Sequence, residues 1–429
     1  MDGFSIGIDF GTCSIKTAYY DKKSGKINQL KIDKSDNSAD KKVPNVIEYS
    51  SRTEYRVGNI AKKKKFYSPK NVVDLIKRKL ELEHWSCHFE ELGFGLTAEE
   101  IAEDIFIWLR ERVEEQGRVI ENAVVTVPVC YTEIQKNRIL RSAKKAGLKI
   151  RGTITEPVAA LFSIDALFEE ECDENVVIFD FGGATLDLCL FHISNDGDGN
   201  VEIDIEASYG IHLGGVDITE MLYREVIYPK YREDLDYEIA QDILHYMEKS
   251  FIDETDRMKM MLFEEEEEKY EDCFDMKYSG KSLDVEMTLA EALECFQRHD
   301  LKAKVVAALH ALFEDTQAIE KEDVTMVKAF GGTSRILFFR EVLAEYFGMD
   351  VFDPDDFDME EAYRAVANGA ARYASILSGD GGDVAITNSI PYFIGVNRGG
   401  RFKTVLRRGQ KYGVFTPYRK LAEIADLED

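Results

Sequence analysis

The sequence Asp-Phe-Gly-Thr-Cys-Ser-Ile-Lys at residues 9–16 has a counterpart, Asp-Phe-Gly-Gly-Ala-Thr-Leu-Asp, at residues 180–187. The two octapeptides align without a gap, begin with the same three residues and lie between hydrophobic segments with strand patterns. Repetition of a strand–turn–strand unit over so long a separation predicts two related lobes. The alternative is a pair of unrelated hairpins that share one kind of turn.

The chemistry of both turns fits a phosphate. A strand that ends in aspartate and continues into Phe-Gly-Thr or Phe-Gly-Gly brings consecutive backbone N–H groups to one point, where glycine allows close approach to an anion and a positive φ. The carboxylate cannot contact phosphate favourably, but it can hold a hydrated divalent cation. Two such hairpins facing each other would clamp a polyphosphate chain and its magnesium ion. The Walker A pattern Gly-x-x-x-x-Gly-Lys-Ser/Thr does not occur in this sequence.

A third glycine turn, Phe-Gly-Gly-Thr-Ser at residues 330–334, follows a predicted strand and leads into a predicted helix. A close-approach Gly-Gly with hydroxyl residues at a helix start suits a nucleoside or a phosphate. This turn is therefore a third candidate contact to the same ligand.

The remaining hydrophobic patterns predict an α/β chain. Strands are predicted at residues 4–9, 15–20, 122–127, 176–191 (a strand–turn–strand unit), 201–209 and 324–329. Helices are predicted at residues 71–83, 97–116, 133–146, 156–168, 334–347 and 360–377, and residues 216–320 are expected to be mostly helical. Thr97 is the expected N-cap of its helix, because Glu100 follows three residues later.

Composition excludes several classes of protein. The chain has 429 residues and a net charge of −27, so nucleic acid and anionic membrane surfaces would repel it. No apolar run approaches the ~20 residues of a membrane span, and the N-terminus lacks the basic region of a signal peptide. The seven cysteines are scattered without a Cys-x-x-Cys pair, which predicts reduced thiols and a cytoplasmic location.

The order of the motifs resembles the nucleotide-binding domain of the DnaK-type heat-shock chaperones, within the actin/sugar-kinase ATPase superfamily. The matching segments are residues 7–12, 125–128, 155–160, 179–187, 212–217 and 331–336. The Glu-Pro-Val-Ala-Ala and His-Leu-Gly-Gly segments separate this family from actins and sugar kinases. The resemblance covers residues 4–377 and implies a two-lobed actin-like ATPase fold with duplicated ribonuclease-H-like lobes and a short C-terminal β extension.

The same resemblance implies the domain boundaries. The expected parts are a first lobe at residues 1–160, a second lobe at 161–377 with a helical insertion at about 216–320, a linker at 378–387 and a short basic β-hairpin-like tail at 388–429. The family's peptide-binding sandwich and helical lid need ~200 residues. Two strands cannot close such a sandwich, so this tail is too short for a complete peptide-binding domain.

By match to the family, both hairpins bind the phosphates. The implied contacts are Gly11, Thr12 and Cys13 in the first hairpin and Gly182, Gly183, Ala184 and Thr185 in the second. Cys13 replaces a usual threonine, so a backbone contact survives there but a hydroxyl contact does not. Ala184 replaces a usual glycine, and its methyl group is expected to restrict φ and push the nucleotide outward.

The resemblance also implies a metal site and a catalytic group. Asp9, Asp180 and Glu156 match the acids that hold Mg²⁺ through its water shell, and Glu156 and Thr185 are also assigned to catalysis. Asp187 matches an acid that positions the attacking water or a monovalent cation such as K⁺.

Lys77 falls on the catalytic lysine when residues are counted without a gap from Val57-Gly58. It would supply positive charge near the γ-phosphate. An alternative register places Val73 at that position and predicts an inactive enzyme, and the simplest other interpretation of Lys77 is an exposed helix lysine.

The nucleoside side is implied by two further matches. Asp256 and Lys259 have the spacing of the acid and lysine that face ribose and adenine, although Met260 and Phe263 stand where polar residues are usual. Gly331, Gly332, Thr333 and Arg335 complete the set, with Arg335 beside the base.

The resemblance implies an ATP-binding, ATP-hydrolysing protein whose lobes open and close with nucleotide, with ATP or ADP and Mg²⁺ as ligands. The alternative is a catalytically weak nucleotide-binding scaffold that acts through a partner. A small-molecule kinase and an actin-like filament-forming protein are further hypotheses. A protein partner or client is expected, and no nucleic acid or membrane. Residues 398–420 carry eight basic and no acidic side chains, so this tail is a candidate partner surface.

Overall fold

The computed structural model describes residues 3–33, 43–198, 200–242, 246–264, 267–314, 316, 319–379, 384–389, 394–398, 401–406 and 411–412. The first part of the chain contains eleven strands and four helices among these residues. They are β1 Gly3–Phe10, β2 Ser14–Asp21, β3 Lys26–Gln29, β4 Val43–Pro44, β5 Val46–Tyr49, β6 Tyr55–Val57, α1 Asn59–Tyr67, β7 Val72–Asp74, α2 Ile76–Lys79, β8 Ser86–Phe89, β9 Phe94–Thr97, α3 Ala98–Glu114, β10 Val119–Val127, α4 Glu133–Lys145 and β11 Ile150–Thr155.

The second part of the chain is richer in helix. Its elements are α5 Glu156–Leu161, α6 Ala166–Glu169, β12 Cys172–Phe181, β13 Leu186–Asn195, β14 Val201–Ile211, α7 Gly215–Leu222, α8 Tyr228–Lys230, α9 Arg232–Gln241, α10 Met247–Glu264, β15 Lys269–Asp275, β16 Ser282–Thr288, α11 Leu289–Arg298, α12 Leu301–Glu314, β17 Met326–Phe330, α13 Leu337–Phe347, α14 Met359–Leu377, β18 Val384–Ser389, β19 Ile394–Arg398, β20 Arg401–Leu406 and β21 Lys411–Tyr412.

Two six-stranded sheets share one arrangement. In the first sheet β10 lies parallel to β1, β1 is antiparallel to β2, and β2 is antiparallel to β3. In the second sheet β17 lies parallel to β12, β12 is antiparallel to β13, and β13 is antiparallel to β14. The two octapeptides form equivalent hairpins in this pattern, so the prediction of two related lobes is confirmed.

The repeated phenylalanine anchors each hairpin to the core of its lobe. The Phe10 ring stacks on Phe106 of α3, with 4.7 Å between the ring centroids. The equivalent Phe181 ring meets Phe339 of α13 edge-on at 4.8 Å. Side chains alternate between the faces of a strand, so burial of each phenylalanine directs the preceding aspartate to the opposite face.

Helix α14 joins the lobes. Although it belongs to the sequence range expected for the second lobe, it packs against β1, β2 and β10 of the first sheet and against α5. Its buried face consists of small side chains such as Ala367 and Ala371, which allow close contact with the strands. Helix α14 also contacts β17 of the second sheet, so it touches both sheets.

Several local predictions are confirmed. Thr97 caps α3 as expected, because its hydroxyl accepts a hydrogen bond from the backbone N–H of Glu100 at 3.3 Å. The hairpin strands, β10, β14, β17 and the helices α4 and α14 lie where the patterns placed them, within a few residues.

Two predicted helices are wrong. Residues 71–83 form the strand β7 and the short helix α2, because β7 pairs with β5 and Leu75 then takes a left-handed conformation with φ 49°. Residues 156–168 form two helices, since α5 ends at Leu161 and α6 begins at Ala166. Residues 216–320 are mostly helical, but they also contain the antiparallel hairpin β15–β16.

The end of the chain joins the second sheet. Strand β18 pairs in parallel with β14 and antiparallel with β21, so it crosses the expected boundary between linker and tail at residues 387 and 388. Strands β19 and β20 form a separate hairpin. The side chains of the expected basic tail lie outside the described residues.

No helix in the described ranges combines the length and apolar character needed to cross a bilayer. All seven cysteines fall within those ranges, and each is a free thiol.

Candidate functional site

A cleft of about 630 Å³ separates the two lobes. It is lined by every residue of the predicted site except Asp187, which is buried next to the cleft residue Glu156. The predicted residues on the cleft are Asp9, Gly11, Thr12, Cys13, Lys77, Glu156, Asp180, Gly182, Gly183, Ala184, Thr185, Asp256, Lys259, Gly331, Gly332, Thr333 and Arg335. Segments separated by more than 300 residues in the sequence thus meet in one place.

The backbone of the first hairpin is oriented by Asn45. The Asn45 side-chain amide donates to the carbonyl of Gly11 at 2.7 Å, and its backbone N–H donates to the carbonyl of Cys13 at 3.0 Å. A trans peptide is planar, so the N–H of the following residue points away from a carbonyl that is held in this way. The Thr12 N–H is therefore directed away from Asn45.

The second hairpin is oriented in the same manner. The carbonyl of Gly182 accepts from the Thr333 hydroxyl at 2.7 Å, and the carbonyl of Gly183 accepts from the Val216 N–H at 2.9 Å. By the same planarity, the N–H groups of Gly183 and Ala184 point away from these donors. Consecutive N–H groups oriented alike form an anion-binding nest.

The expected effect of Ala184 on the backbone is not observed. Among the described residues other than glycine, only Leu75 and Asp300 have a positive φ, so the methyl group of Ala184 meets no backbone strain. Among the glycines of the three turns at the cleft, Gly331 is the one with a positive φ, at 87°. A Cβ atom there would lie 2.4 Å from the carbonyl oxygen of Phe181, so the third turn approaches the second hairpin too closely for any side chain.

Cys13 lies where the two hairpins meet. A Cβ atom built on Gly183 would lie 2.7 Å from the Cys13 sulfur, so glycine at 183 makes room for this thiol. The Cys13 side chain is exposed to the cleft. Desolvation by the surrounding cleft walls, followed by the charge of Asp256, raises its pKa to about 11, and the thiol is therefore protonated at neutral pH.

Four acids converge below the hairpins. Asp9, Asp180 and Asp187 come from β1, β12 and β13, and Glu156 begins α5. Burial, followed by the charge of Glu156, raises the pKa of Asp180 well above its usual value and that of Asp187 to about 7. The Val129 N–H donates to Asp187 at 2.6 Å and fixes its carboxylate.

Lys77 is buried and forms an ion pair with Glu156. Its side chain is 2% exposed, so the interpretation as an exposed helix lysine is wrong. Burial lowers the pKa of Lys77, but the charges of Glu156 and Asp9 outweigh this effect and the pKa is raised overall. The alternative residue, Val73, is packed in the core of the first lobe.

Lys16 is a cleft residue that the sequence did not identify. It pairs with Asp9 across the first hairpin, and its ammonium donates to the Asp9 carboxylate at 2.6 Å. The signal was present in the octapeptide, because antiparallel pairing of a hairpin places its first and last residues opposite each other.

The acid cluster fits a divalent cation. Four carboxylates and the two ammonium groups of Lys16 and Lys77 leave a formal charge of −2 in a buried space. Carboxylate oxygens are the donors that Mg²⁺ prefers, and it commonly keeps several of its waters. The raised pKa values of Asp180 and Asp187 have the same origin, since mutual repulsion of buried carboxylates is relieved by a proton or by a cation.

On the nucleoside side, the ammonium of Lys259 forms hydrogen bonds with other groups of the protein. Its ammonium donates to the carbonyl of Gly215 at 3.0 Å, to the Thr219 hydroxyl at 2.7 Å and to Asp256 at 2.8 Å. A lysine ammonium has three donors, so these contacts use all of them. Burial raises the pKa of Asp256, but the charge of Lys259 outweighs it and the pKa falls below its usual value.

Arg335 is held by α14. Its guanidinium lies 4.9 Å from the centroid of the Tyr363 ring and donates to the Tyr363 hydroxyl. Its Nε lies 2.9 Å from the sulfur of Met359. These contacts present a flat guanidinium face at the cleft.

Two sets of ion pairs link the lobes near the cleft. Lys65 contacts Asp74 of the first lobe at 2.6 Å and also pairs with Asp253 of α10 in the second lobe. Arg78 contacts Asp217 of α7 at 2.5 Å. Lys65 lies in a run of four lysines, and only the structure distinguishes it from its exposed neighbours.

A second group of ligand-type side chains lies away from the cleft and consists of Glu225, Cys295 and His299. His299 pairs with Glu225, and Arg298 donates to the same carboxylate at 2.9 Å. Burial raises the pKa of Cys295 to about 11. Because the guanidinium already balances the carboxylate, these contacts form a structural ion-pair network.

Two duplicated α/β lobes with facing glycine hairpins and an acid cluster between them define the class of two-lobed actin-like ATPase folds. The sequence model of the Hsp70 protein family matches residues 5–412. The chain therefore belongs to the Hsp70 protein family. It is 24% identical over 420 residues to the protein named chaperone protein DnaK of Burkholderia cenocepacia, an alignment that covers 92% of this chain and 62% of that protein. The chain thus spans less than two thirds of the length of this curated relative.

Proposed function

We propose that the chain binds ATP and ADP with Mg²⁺ between its lobes and hydrolyses ATP. The observation that carries this proposal is the position of the buried pair Lys77–Glu156 beside Asp9 and Asp180, beneath two hairpins whose backbone carbonyls are held by neighbouring donors. A polyphosphate needs N–H donors, a compensating cation and oxygen ligands for its metal, and this cleft supplies all three.

The hairpins bind and orient the phosphates. The proposed donors are the backbone N–H groups of Thr12, Gly183 and Ala184, so these phosphate contacts do not depend on a side-chain hydroxyl. Asp9, Asp180 and Glu156 would hold the metal through water. When bound, Mg²⁺ supplies positive charge that stabilises the phosphate oxygens during phosphoryl transfer.

Lys77 and Asp187 carry the chemical step in this proposal. The Lys77 ammonium stabilises the negative charge that develops on the transferred phosphoryl group. Asp187, with a pKa of about 7 due to burial and to the charge of Glu156, can accept a proton from the attacking water. Thr185 donates a hydrogen bond to Asp187 and helps to fix its orientation.

The lobes open and close with the nucleotide in this proposal. Lys65 links Asp74 of the first lobe to Asp253 of the second beside the cleft, and in this proposal the contact breaks when the lobes open. The relative is named a chaperone, and we propose a chaperone-type role in the cytoplasm in which closure is transmitted to a bound protein. The basic residues 398–420 are the proposed contact for that protein.

A phosphate-release assay on the full chain tests this proposal. Wild-type protein with Mg²⁺ and ATP is expected to release phosphate, and Lys77→Ala is expected to lower the rate by about 100-fold or more while nucleotide binding persists. Lys63→Ala, an exposed lysine on α1, is the matched control and should leave the rate unchanged. Binding without release in the wild type would indicate a nucleotide-binding scaffold instead.

A further inference from the structure

The two hairpins differ in charge at one equivalent position. Lys16 pairs with Asp9 across the first hairpin, whereas Asp187 pairs with Asp180 across the second. One lobe therefore places an ammonium group where the other places a carboxylate.

The surroundings of Lys16 keep its charge inside the cleft. Its side chain is 15% exposed, and its ammonium lies 2.6 Å from the Asp9 carboxylate. Asp180 and Tyr363 also face it across the cleft. A lysine ammonium is cationic at neutral pH, and the adjacent Asp9 carboxylate stabilises that charge.

The bond to Asp9 uses one of the three donors of the ammonium. Lys16 lines the cleft beside the first hairpin, where the proposed phosphate chain would lie. A tethered ammonium between a carboxylate and a phosphate performs the electrostatic task of a bound monovalent cation, since each carries a single positive charge.

We propose that Lys16 is a built-in monovalent cation for the polyphosphate of the nucleotide, so that binding needs no K⁺. This inference rests on the proposed nucleotide binding and assigns a residue within the same cleft. The ligand class follows from the position of the charge: nucleoside di- and triphosphates gain this contact, and nucleoside monophosphates do not.

Calorimetric titration of the wild-type full chain with ADP and Mg²⁺ provides the first test. The titrations use chloride salts of K⁺, Na⁺ and tetramethylammonium at one ionic strength, because the last cation is too large to occupy a small oxygen-lined site. The ADP affinity is expected to vary by less than about 2-fold among the salts. A loss of 10-fold or more without K⁺ would overturn the proposal.

Substitution of Lys16 provides the second test. Lys16→Met is expected to weaken ADP binding by about 10-fold or more in tetramethylammonium, to leave AMP binding within about 2-fold, and to make ADP binding respond to K⁺. Lys16→Arg retains the charge and should remain insensitive to K⁺. Lys26→Met removes an exposed lysine from β3 of the same sheet and serves as the matched control.

The outcomes separate this inference from the proposed function. Equal ADP affinity of Lys16→Met and wild type in every salt would overturn the role of Lys16 and leave nucleotide binding in place. Absence of ADP and ATP binding by the wild type would overturn both. The salt series needs no variant, so it decides the question even if Lys16→Met fails to fold.

Discussion

The ammonium of Lys77 and the carboxylate of Glu156 form a buried ion pair across 79 positions of sequence. Lys77 belongs to the short helix α2, and Glu156 begins α5 where the first sheet ends. Tyr131 packs against this arrangement, because its hydroxyl lies 3.1 Å from the backbone carbonyl of Lys77 and 2.9 Å from the Glu81 carboxylate, the two acceptors for its single proton. The pair fixes the one cation of α2 that lines the acid cluster beneath the hairpins.

Breaking this pair from one side should destabilise the fold. Lys77→Met leaves the charge of Glu156 buried without its partner, and we expect a loss of about 3–5 kcal/mol in the free energy of unfolding. Lys77→Met with Glu156→Gln removes both charges and should recover most of that loss. Urea unfolding of the wild type, both single variants and the double variant measures the coupling. Additive effects of the two substitutions would contradict a direct interaction.

The stability of the nucleotide-free protein should fall as pH rises. The pKa of Asp187 is raised to about 7 in the fold, chiefly by burial, whereas an unfolded aspartate has a pKa of ~3.9. The folded state therefore binds more protons than the unfolded state between these values, and its stability decreases through that interval. Thermal unfolding in EDTA at several pH values between about 5 and 8 measures this trend.

Asp187→Asn is the control for this assignment. The variant keeps an oxygen for the Val129 N–H but removes the charge, so its melting temperature should depend less on pH than that of the wild type. Addition of Mg²⁺ to the wild type should reduce the loss of stability at high pH, because a bound cation relieves the repulsion between the buried carboxylates. Identical pH profiles of variant and wild type would show that other groups cause the trend.

The second hairpin should tolerate glycine at 184 but not alanine at 214. A Cβ atom on Gly214 would lie 2.3 Å from the backbone nitrogen of Ala184, so Gly214→Ala displaces the hairpin. We expect a cost of about 1–3 kcal/mol and weaker ADP binding. Ala184→Gly relieves no strain, because φ at 184 is not positive.

Ala184→Gly should therefore bind ADP as the wild type does, within about 2-fold. Chemical unfolding and ADP titration of both variants test this contrast. A large gain in affinity for Ala184→Gly would mean that the methyl group does push the nucleotide outward.

Lys65 should control the rate at which nucleotide leaves. Lys65→Met removes the bridge between Asp74 and Asp253 and leaves two acids facing each other beside the cleft, so we expect dissociation of ADP to accelerate by about 10-fold. Lys64→Met removes an exposed lysine from the same helix and is the matched control. Stopped-flow displacement of a fluorescent ADP measures the rate. Equal rates for both variants would exclude a gating role for Lys65.

The hairpins were predictable because their signals are local. Alternating side chains, the glycine turns and the Thr97 capping box each specify structure within a few residues. The structure of residues 71–83 was not predictable in this way. Their apolar residues have helical spacing, but in the fold β7 pairs with β5 and Leu75 takes a left-handed conformation. Tertiary contacts outweighed local preference at this point.

The sequence predicted which residues line the cleft better than it predicted the contacts that they make there. Sequence motifs identified Asp9, Glu156 and Asp180. They did not show that all three N–H donors of the Lys259 ammonium form hydrogen bonds within the protein. Lys65 was hidden in a lysine run that looks uniformly exposed. Such roles depend on which long-range neighbour a charge meets, and a sequence pattern alone carries no such distance.

The most direct test of the central claim is calorimetric titration of the full chain with ADP in the presence of Mg²⁺ and again in EDTA. We predict saturable binding at one site with Mg²⁺, and a loss of about 10-fold or more in affinity without it, because the buried acids then repel the phosphates. Asp180→Asn should reduce this dependence on Mg²⁺. Absence of saturable binding up to about 1 mM ADP with Mg²⁺ would contradict the assignment of the cleft as a nucleotide site.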